Sequence, residues 1–252
     1  MKNIKFRTII EMALFLLALF LLFLLLMKSG VGKPETLSDK VLFFGGLLLA
    51  IFGVLGIHEA GHLFTGMLQG FEFQLFVIGS LGIKKEDGRV QPYFNTDISY
   101  FGGVAVTAPV REDTENANKF SRIIIAGPIA SFLFGLICLA VSLALAGLYA
   151  SFVFITGVIS LAIFFATTIP TKTGVFFSDR KRYQRLKTAG DEQQVELAML
   201  RVLGRYAQHN SYVVIDEDDL NILMNDREPF IQYYGLVCHL CRQYESGGVA
   251  DS

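Results

Sequence analysis

Four stretches of the chain stay apolar long enough for a helix to cross a bilayer, at 9–27, 41 to about 68, 123 to about 149 and 152–169. Each approaches or exceeds the roughly 20 residues that a helix needs to traverse the hydrocarbon. Between the second and third the pattern changes. "FEFQLFVIG" and "RVQPYF" flank the polar turn "KKEDGR", in which Asp87 and Gly88 suit a tight β-hairpin. After Thr188 the apolar residues become periodic instead of continuous. Val195, Met199, Val202 and Tyr206 fall on one helical stripe, and Pro229 opens a second helical segment. The acids of "IDEDDL" read as a helix start, since they lack the glycine of a calcium loop. The expected fold is an all-α polytopic membrane protein with about four transmembrane helices, a small interfacial β-hairpin and a C-terminal cytosolic helical appendage. A membrane-embedded core over 1–187 and a helical tail over 188–252 are the expected divisions.

Composition supports the membrane class: with 52% hydrophobic and 18% charged residues the chain departs from soluble domains. The net charge of −1 says little, but the placement of the cations says more. Lys2, Lys5 and Arg7 precede the first span. Lys84, Lys85, Arg89, Arg111 and Lys119 lie between the second and third, and Arg180, Lys181, Arg182, Arg185 and Lys187 follow the fourth. Cations near span ends stay inside, so these segments and both termini are expected in the cytoplasm, with the second span running inward. The first span is expected to be a retained anchor, because "KSGVGKPETLSDK" offers no small-x-small cleavage site. Glu11, near its start, reads as a carboxylate reaching the headgroups. Cys138, Cys238 and Cys241 suggest reduced thiols and no disulfide framework. Neither a phosphate-cradling glycine loop, an internal repeat nor a basic-aromatic stripe is present, so nucleic acid is not an expected partner.

The second span carries "IHEAGH" near its end, residues 57–62. At 1.5 Å per residue, His58 lies roughly 25 Å along a helix that begins at Val41, just inside the cytoplasmic edge of a ~30 Å hydrocarbon core. His58 and His62 are four residues apart and share a helix face, so both imidazoles can present a nitrogen to one Zn²⁺. Glu59 lies about 100° round the helix, where it can act on the metal's water instead of on the metal. Ala60 and Gly61 leave room for a neighbouring helix or a substrate backbone. The five-residue pattern alone also occurs on ordinary helices. In lipid, however, two imidazoles and a carboxylate are costly unless paired or metal-bound, which favours a functional reading.

These features resemble the site-2 protease family of intramembrane zinc metalloproteases, in a short form without a PDZ domain. The resemblance rests on "HEAGH", on "TTIPTKTGVFFSDRKR" with Pro170 and Asp179, on "IIIAGPIASF" with Gly127 and Pro128, and on "FGGVAVTAP" with Gly102 and Gly103. It covers roughly residues 41–187. It implies one Zn²⁺ per chain, held by His58, His62 and Asp179, with Glu59 as the general base. Gly102, Gly103, Gly127, Pro128, Thr167 and Pro170 would then shape the site or bind substrate. In the expected orientation Asp179 emerges on the same side as both histidines. Two residues depart from the family pattern: Thr167 stands where Asn is frequent, and Arg180 where Gly usually follows the metal-binding Asp. Asp179 therefore has a second reading, an interfacial ion-pair partner for Arg180 or Arg182, and Asp97 is the substitute ligand.

The implied function is regulated intramembrane proteolysis: a zinc endopeptidase that cuts membrane-protein or membrane-peptide substrates in or near their transmembrane segments, close to the cytoplasmic face. A homo-oligomer or a regulatory membrane partner stays open. An ion transporter relaying ions through the His/Glu cluster is a rival reading, with only four spans and no paired half-repeats against it. A catalytically inactive membrane scaffold is the third. Cys238 and Cys241, a lone C-x-x-C, read as packing, and His209 and His239 as surface or packing residues.

Overall fold

The computed structural model describes residues 32–86, 88–111, 115–170, 172–173 and 176–247, with scattered positions between 10 and 24. The expected first span at 9–27 lies largely outside the described residues, and so does Asp87 of the expected turn. Three described helices are long and apolar enough to cross a membrane: α1 (Leu37–Leu68), α2 (Asn116–Ser142) and α3 (Gly147–Thr168). α1 starts four residues before the apolar run because Thr36 and Asp39 form a capping box. The Thr36 hydroxyl accepts from Asp39 N at 3.1 Å, and the Asp39 carboxylate accepts from Thr36 N at 3.2 Å. The break between α2 and α3 falls at 143–146, earlier than the expected 149–152. Every residue there is apolar, so hydropathy carries no stop signal. What marks the break is Gly147, whose φ of +62° lies in the left-handed region that favours glycine. At this end the Ser151 hydroxyl donates to Gly32 O at 2.9 Å, tying the segment before α1 to the start of α3.

Small residues let the helices approach. A Cβ on Gly61 of α1 would stand 2.7 Å from Ala126 O and 2.8 Å from Ala130 Cβ of α2, so the two backbones nearly touch there. α2 and α3 meet in the same way through Gly135 and Gly157, where a Cβ on Gly157 would lie 3.0 Å from both Gly135 O and Cys138 Cβ.

The segment between α1 and α2 is a four-stranded antiparallel sheet, where the sequence suggested only a hairpin. Its strands are β1 (Phe71–Ile78), β2 (Leu81–Glu86), β3 (Arg89–Phe94) and β4 (Val104–Pro109), in the order β3-β2-β1-β4. The expected turn at Gly88 joins β2 to β3, with Glu86 opposite Arg89. The apolar run before it is a separate strand, turned back at Gly79 and Ser80. β4 was missed because "VAVTAP" is short and pairs, among the described residues, with β1 alone, with Phe76 opposite Ala105. The sheet lies along the last turns of α1, since neither Gly56 against Ile78 nor Gly66 against Thr107 has room for a Cβ. The hairpin β2–β3 turns an apolar face outward, with Leu81, Ile83, Val90 and Phe94 exposed and Ile98 beyond them.

After α3 the chain makes a two-stranded ribbon, β5 (Lys172–Thr173) and β6 (Phe176–Phe177), and enters α4 (Asp179–Lys187). Three further helices follow, α5 (Asp191–His209), α6 (Glu217–Met224) and α7 (Pro229–Glu245). Val195, Ala198, Val202, Leu220, Leu223, Ile231 and Cys238 form their shared core, as the helical stripe implied. Cys238 is part of that packing, and burial pushes its thiol up to about 11. A second cluster, Phe71, Ile123 and Leu200, joins sheet, α2 and α5. The C-terminal helices therefore cover the same end of the helix bundle as the sheet.

Gly61→Leu is expected to lower the unfolding temperature in detergent, with a destabilisation of about 1–3 kcal/mol from overpacking. Gly53→Leu, at a position with nothing within 4 Å of a Cβ, is the control and should leave it unchanged. Equal transitions for both variants would remove the close α1–α2 crossing.

Candidate metal centre

At the sheet-covered end of the bundle, α1 places His58 and His62 one turn apart, their Nε2 atoms 3.3 Å from each other. Asp179, the first residue of α4, brings its Oδ2 to 3.2 Å from His58 Nε2 and 3.7 Å from His62 Nε2. Ser178 starts that helix, its hydroxyl accepting from Lys181 N at 3.4 Å. One ligand atom from each of the three residues lies within 4.8 Å of the others, and His58 is buried.

The opposite edges of the imidazoles are already occupied. His62 Nδ1 stands 2.8 Å from Ile123 O, which can only accept, so Nδ1 carries the proton and the neutral ring offers its Nε2 lone pair. His58 Nδ1 stands 2.9 Å from Ser131 Oγ, a buried hydroxyl, and Ser160 donates to Ser131 O at 2.7 Å from α3. Asp179 Oδ2 is buried and makes no regular hydrogen bond among the described residues. Two lone pairs and one carboxylate oxygen on a common centre suit a divalent ion, and the Nδ1 partners fix the two rings in the way that outer groups do in metal sites.

α2 is shaped to allow this. A Cβ on Gly127 would overlap the His62 ring, so the imidazole occupies the space that glycine leaves. Pro128 has no N–H to give Ile124 O, and the preceding carbonyl, Ile123 O, serves His62. Glu59 lies against the start of β4. A Cβ on Gly103, which has φ of +97°, would come within 2.9 Å of Glu59 Cγ, and the Ala105 backbone amide faces the carboxylate. Glycine there meets both a left-handed backbone and a close approach.

The family-level comparison gives a match to peptidase family M50 over residues 46–235. The chain belongs to peptidase family M50, the site-2 protease family. Comparison with curated proteins and with solved structures gives no match. M50 peptidases are zinc metalloproteases, so the chain is a multi-pass membrane protein of the metallopeptidase hydrolases, and its His58, His62 and Asp179 form a group able to hold a metal ion.

Other residues singled out for their M50 resemblance fall in varied places. Gly102 has open space around it, unlike Gly103 and Gly127. The Thr167 hydroxyl donates back to its own helix, at 3.1 Å to Ile163 O and 3.2 Å to Phe164 O. Pro170 ends α3 by holding Ile169 extended, at φ −75° and ψ 122°. Asp97 sits exposed in the loop after β3 and is not in the ligand group. Arg180 donates to Thr168 O at 3.2 Å, and Arg182 meets Glu196 at 3.4 Å, while Asp179 faces the histidines. The residue that sequence reasoning missed is Ser131. Its spacing from Gly127, four residues on α2, puts the hydroxyl and the gap on one face, and that signal was available.

Ser131→Ala removes the His58 Nδ1 partner, and zinc affinity measured by chelator competition is expected to fall about tenfold or more. An unchanged affinity would show that Ser131 does not orient the ligand.

Proposed function

We propose that the protein is an intramembrane zinc endopeptidase that hydrolyses peptide bonds in or near transmembrane segments of membrane-protein substrates, close to the cytoplasmic face. The observation that carries this reading is the convergence of His58, His62 and Asp179 at one end of a membrane-length helix, with Glu59 beside them. In this reading the three residues hold one zinc ion per chain. When bound, zinc supplies the Lewis acidity that activates water and polarises the scissile carbonyl. Glu59 takes the proton of the attacking water on its carboxylate and hands it to the leaving amine as the C–N bond breaks.

A transmembrane helix hides its peptide bonds in i to i−4 hydrogen bonds, so a substrate must be extended before it is cut. β4 is an edge strand and its start lies against Glu59, so an extended peptide added along that edge would meet the carboxylate. Gly103 and Gly127 keep bulk away from Glu59 and His62. Gly102, Pro128, Thr167 and Pro170 shape the surrounding backbone. The exposed apolar face of β2 and β3 suits lipid at the interface. The cations around the sheet and on α4 favour a cytoplasmic position for this end and for both termini. The membrane core takes residues 1–187 and the helical tail 188–252.

Glu59→Gln keeps the shape but not the proton acceptor. Zinc should stay bound while cleavage of a reconstituted membrane substrate falls by ~10² or more. Asp179→Ala should lose zinc and cleavage together, because two histidines are an incomplete set. Full zinc occupancy in that variant would rule out Asp179 as a ligand.

Orientation has its own measurement. A cysteine placed at Ala60 should react with thiol reagents added from the cytoplasmic side only, and more slowly than one placed at Gly88. Labelling from the opposite side would invert the topology.

A further inference from the structure

α4 is an unusual carrier for a metal ligand. Its nine residues hold five cations, Arg180, Lys181, Arg182, Arg185 and Lys187, behind Asp179. A helix of this length has little stability alone, and cations near a divalent ion repel it. The acids that answer them come from the C-terminal helices. Glu196 of α5, 1% exposed, splits its carboxylate between two arginines one turn apart. Oε1 meets Arg185 Nε at 2.8 Å and Oε2 meets Arg182 Nε at 3.4 Å. Arg185 is itself 3% exposed, with Asp226 Oδ2 3.4 Å from its Nη2 and the Phe177 ring 4.8 Å below its guanidinium. Asp226 is held in turn by Glu228 N at 2.7 Å, and Gln193 donates to Leu186 O at 2.5 Å.

We propose that the C-terminal helices act as a positioning clamp for the third metal ligand, with Glu196 as the central positioning residue, acting on Asp179 through Arg182 and Arg185. The proposal rests on the reading of Asp179 as a ligand. Apolar packing would hold α4 against α5 but would let it slide or turn. A carboxylate gripping two side chains one turn apart fixes both translation and rotation, because each oxygen has its own donor. α4 also packs on α2, where the Arg182 guanidinium lies 5.3 Å from the centre of the Phe120 ring, and its hydrogen bonds toward the membrane helices include Arg180 to Thr168 O at 3.2 Å and Lys187 to Asn118 Oδ1 at 2.7 Å. The buried ionic grip is on the other side. It also offsets the positive charge that α4 would otherwise hold beside the ion.

The test uses the purified full chain in detergent, zinc affinity by chelator competition, and hydrogen exchange resolved by peptide. Glu196→Gln is expected to weaken zinc about 10–100-fold, the range for losing an outer partner of a metal site, with faster exchange over 179–187 and unchanged exchange over α1, α2 and α3. Zinc affinity within about twofold of the parent, with α4 loosened, would overturn the clamp. Asp179→Ala in the same assay separates the two ideas: full affinity there defeats the ligand reading, whereas Glu196→Gln bears only on the clamp. Should Glu196→Gln also loosen α1, α2 and α3, Asp226→Asn takes its place. That variant removes only the 3.4 Å contact, and an affinity loss of about threefold supports the clamp while none refutes it.

Discussion

Everything near the site follows from holding three electron-rich atoms, two imidazole nitrogens and a carboxylate oxygen, within 4.8 Å where water is scarce. Without a cation this arrangement is costly, since lone pairs repel and a buried carboxylate oxygen without a hydrogen bond loses its solvation. The surrounding structure therefore has to force it. Ile123 O and Ser131 hold the two rings from behind, and glycine at 127 vacates the volume that one ring fills. Gly61 allows α2 to come close enough for both contacts. Each of these features is hard to explain for a helix bundle that had only to be stable, and each is explained if the bundle has to aim nitrogen at a common point.

How legible this was in the sequence depends on the range of the interaction. His58, Glu59 and His62 are local, and helical spacing alone puts both histidines on one face. Length and hydropathy mark four apolar spans, of which three correspond to the described helices α1, α2 and α3 and the first lies largely outside the described residues, whereas the turn between α2 and α3 could not be placed, because its residues are as apolar as the helices it joins. The sheet was half legible. The Gly88 turn announced one hairpin, but the pairing of β4 with β1 brings together residues with the whole hairpin between them, and no local pattern specifies that. Asp179 was found by resemblance alone. Nothing in "FFSDRKR" distinguishes a ligand from the acid of a surface ion pair until the fold sets it opposite the histidines.

The sheet's position changes what its shape means. An amphipathic hairpin with Leu81, Ile83, Val90 and Phe94 exposed would be an aggregation hazard on a soluble protein. Beside a bundle of membrane-length helices the same face suits an apolar surrounding. The other edge, β4, is tied near its end, where Gln208 donates to Pro109 O at 2.9 Å. Its beginning, at Val104 and Ala105, runs past Glu59. The C-terminal helices thus fasten one end of this edge, and Glu59 faces the other.

The histidines and Asp179, the group able to hold a metal ion, are held by different kinds of force. His58 and His62 sit on one continuous helix, so their mutual geometry is fixed by covalent structure and hydrogen bonds that the membrane protects. Asp179 comes from a short, cationic helix outside the spans, joined to α3 by a two-stranded ribbon and contacted by residues later in the chain.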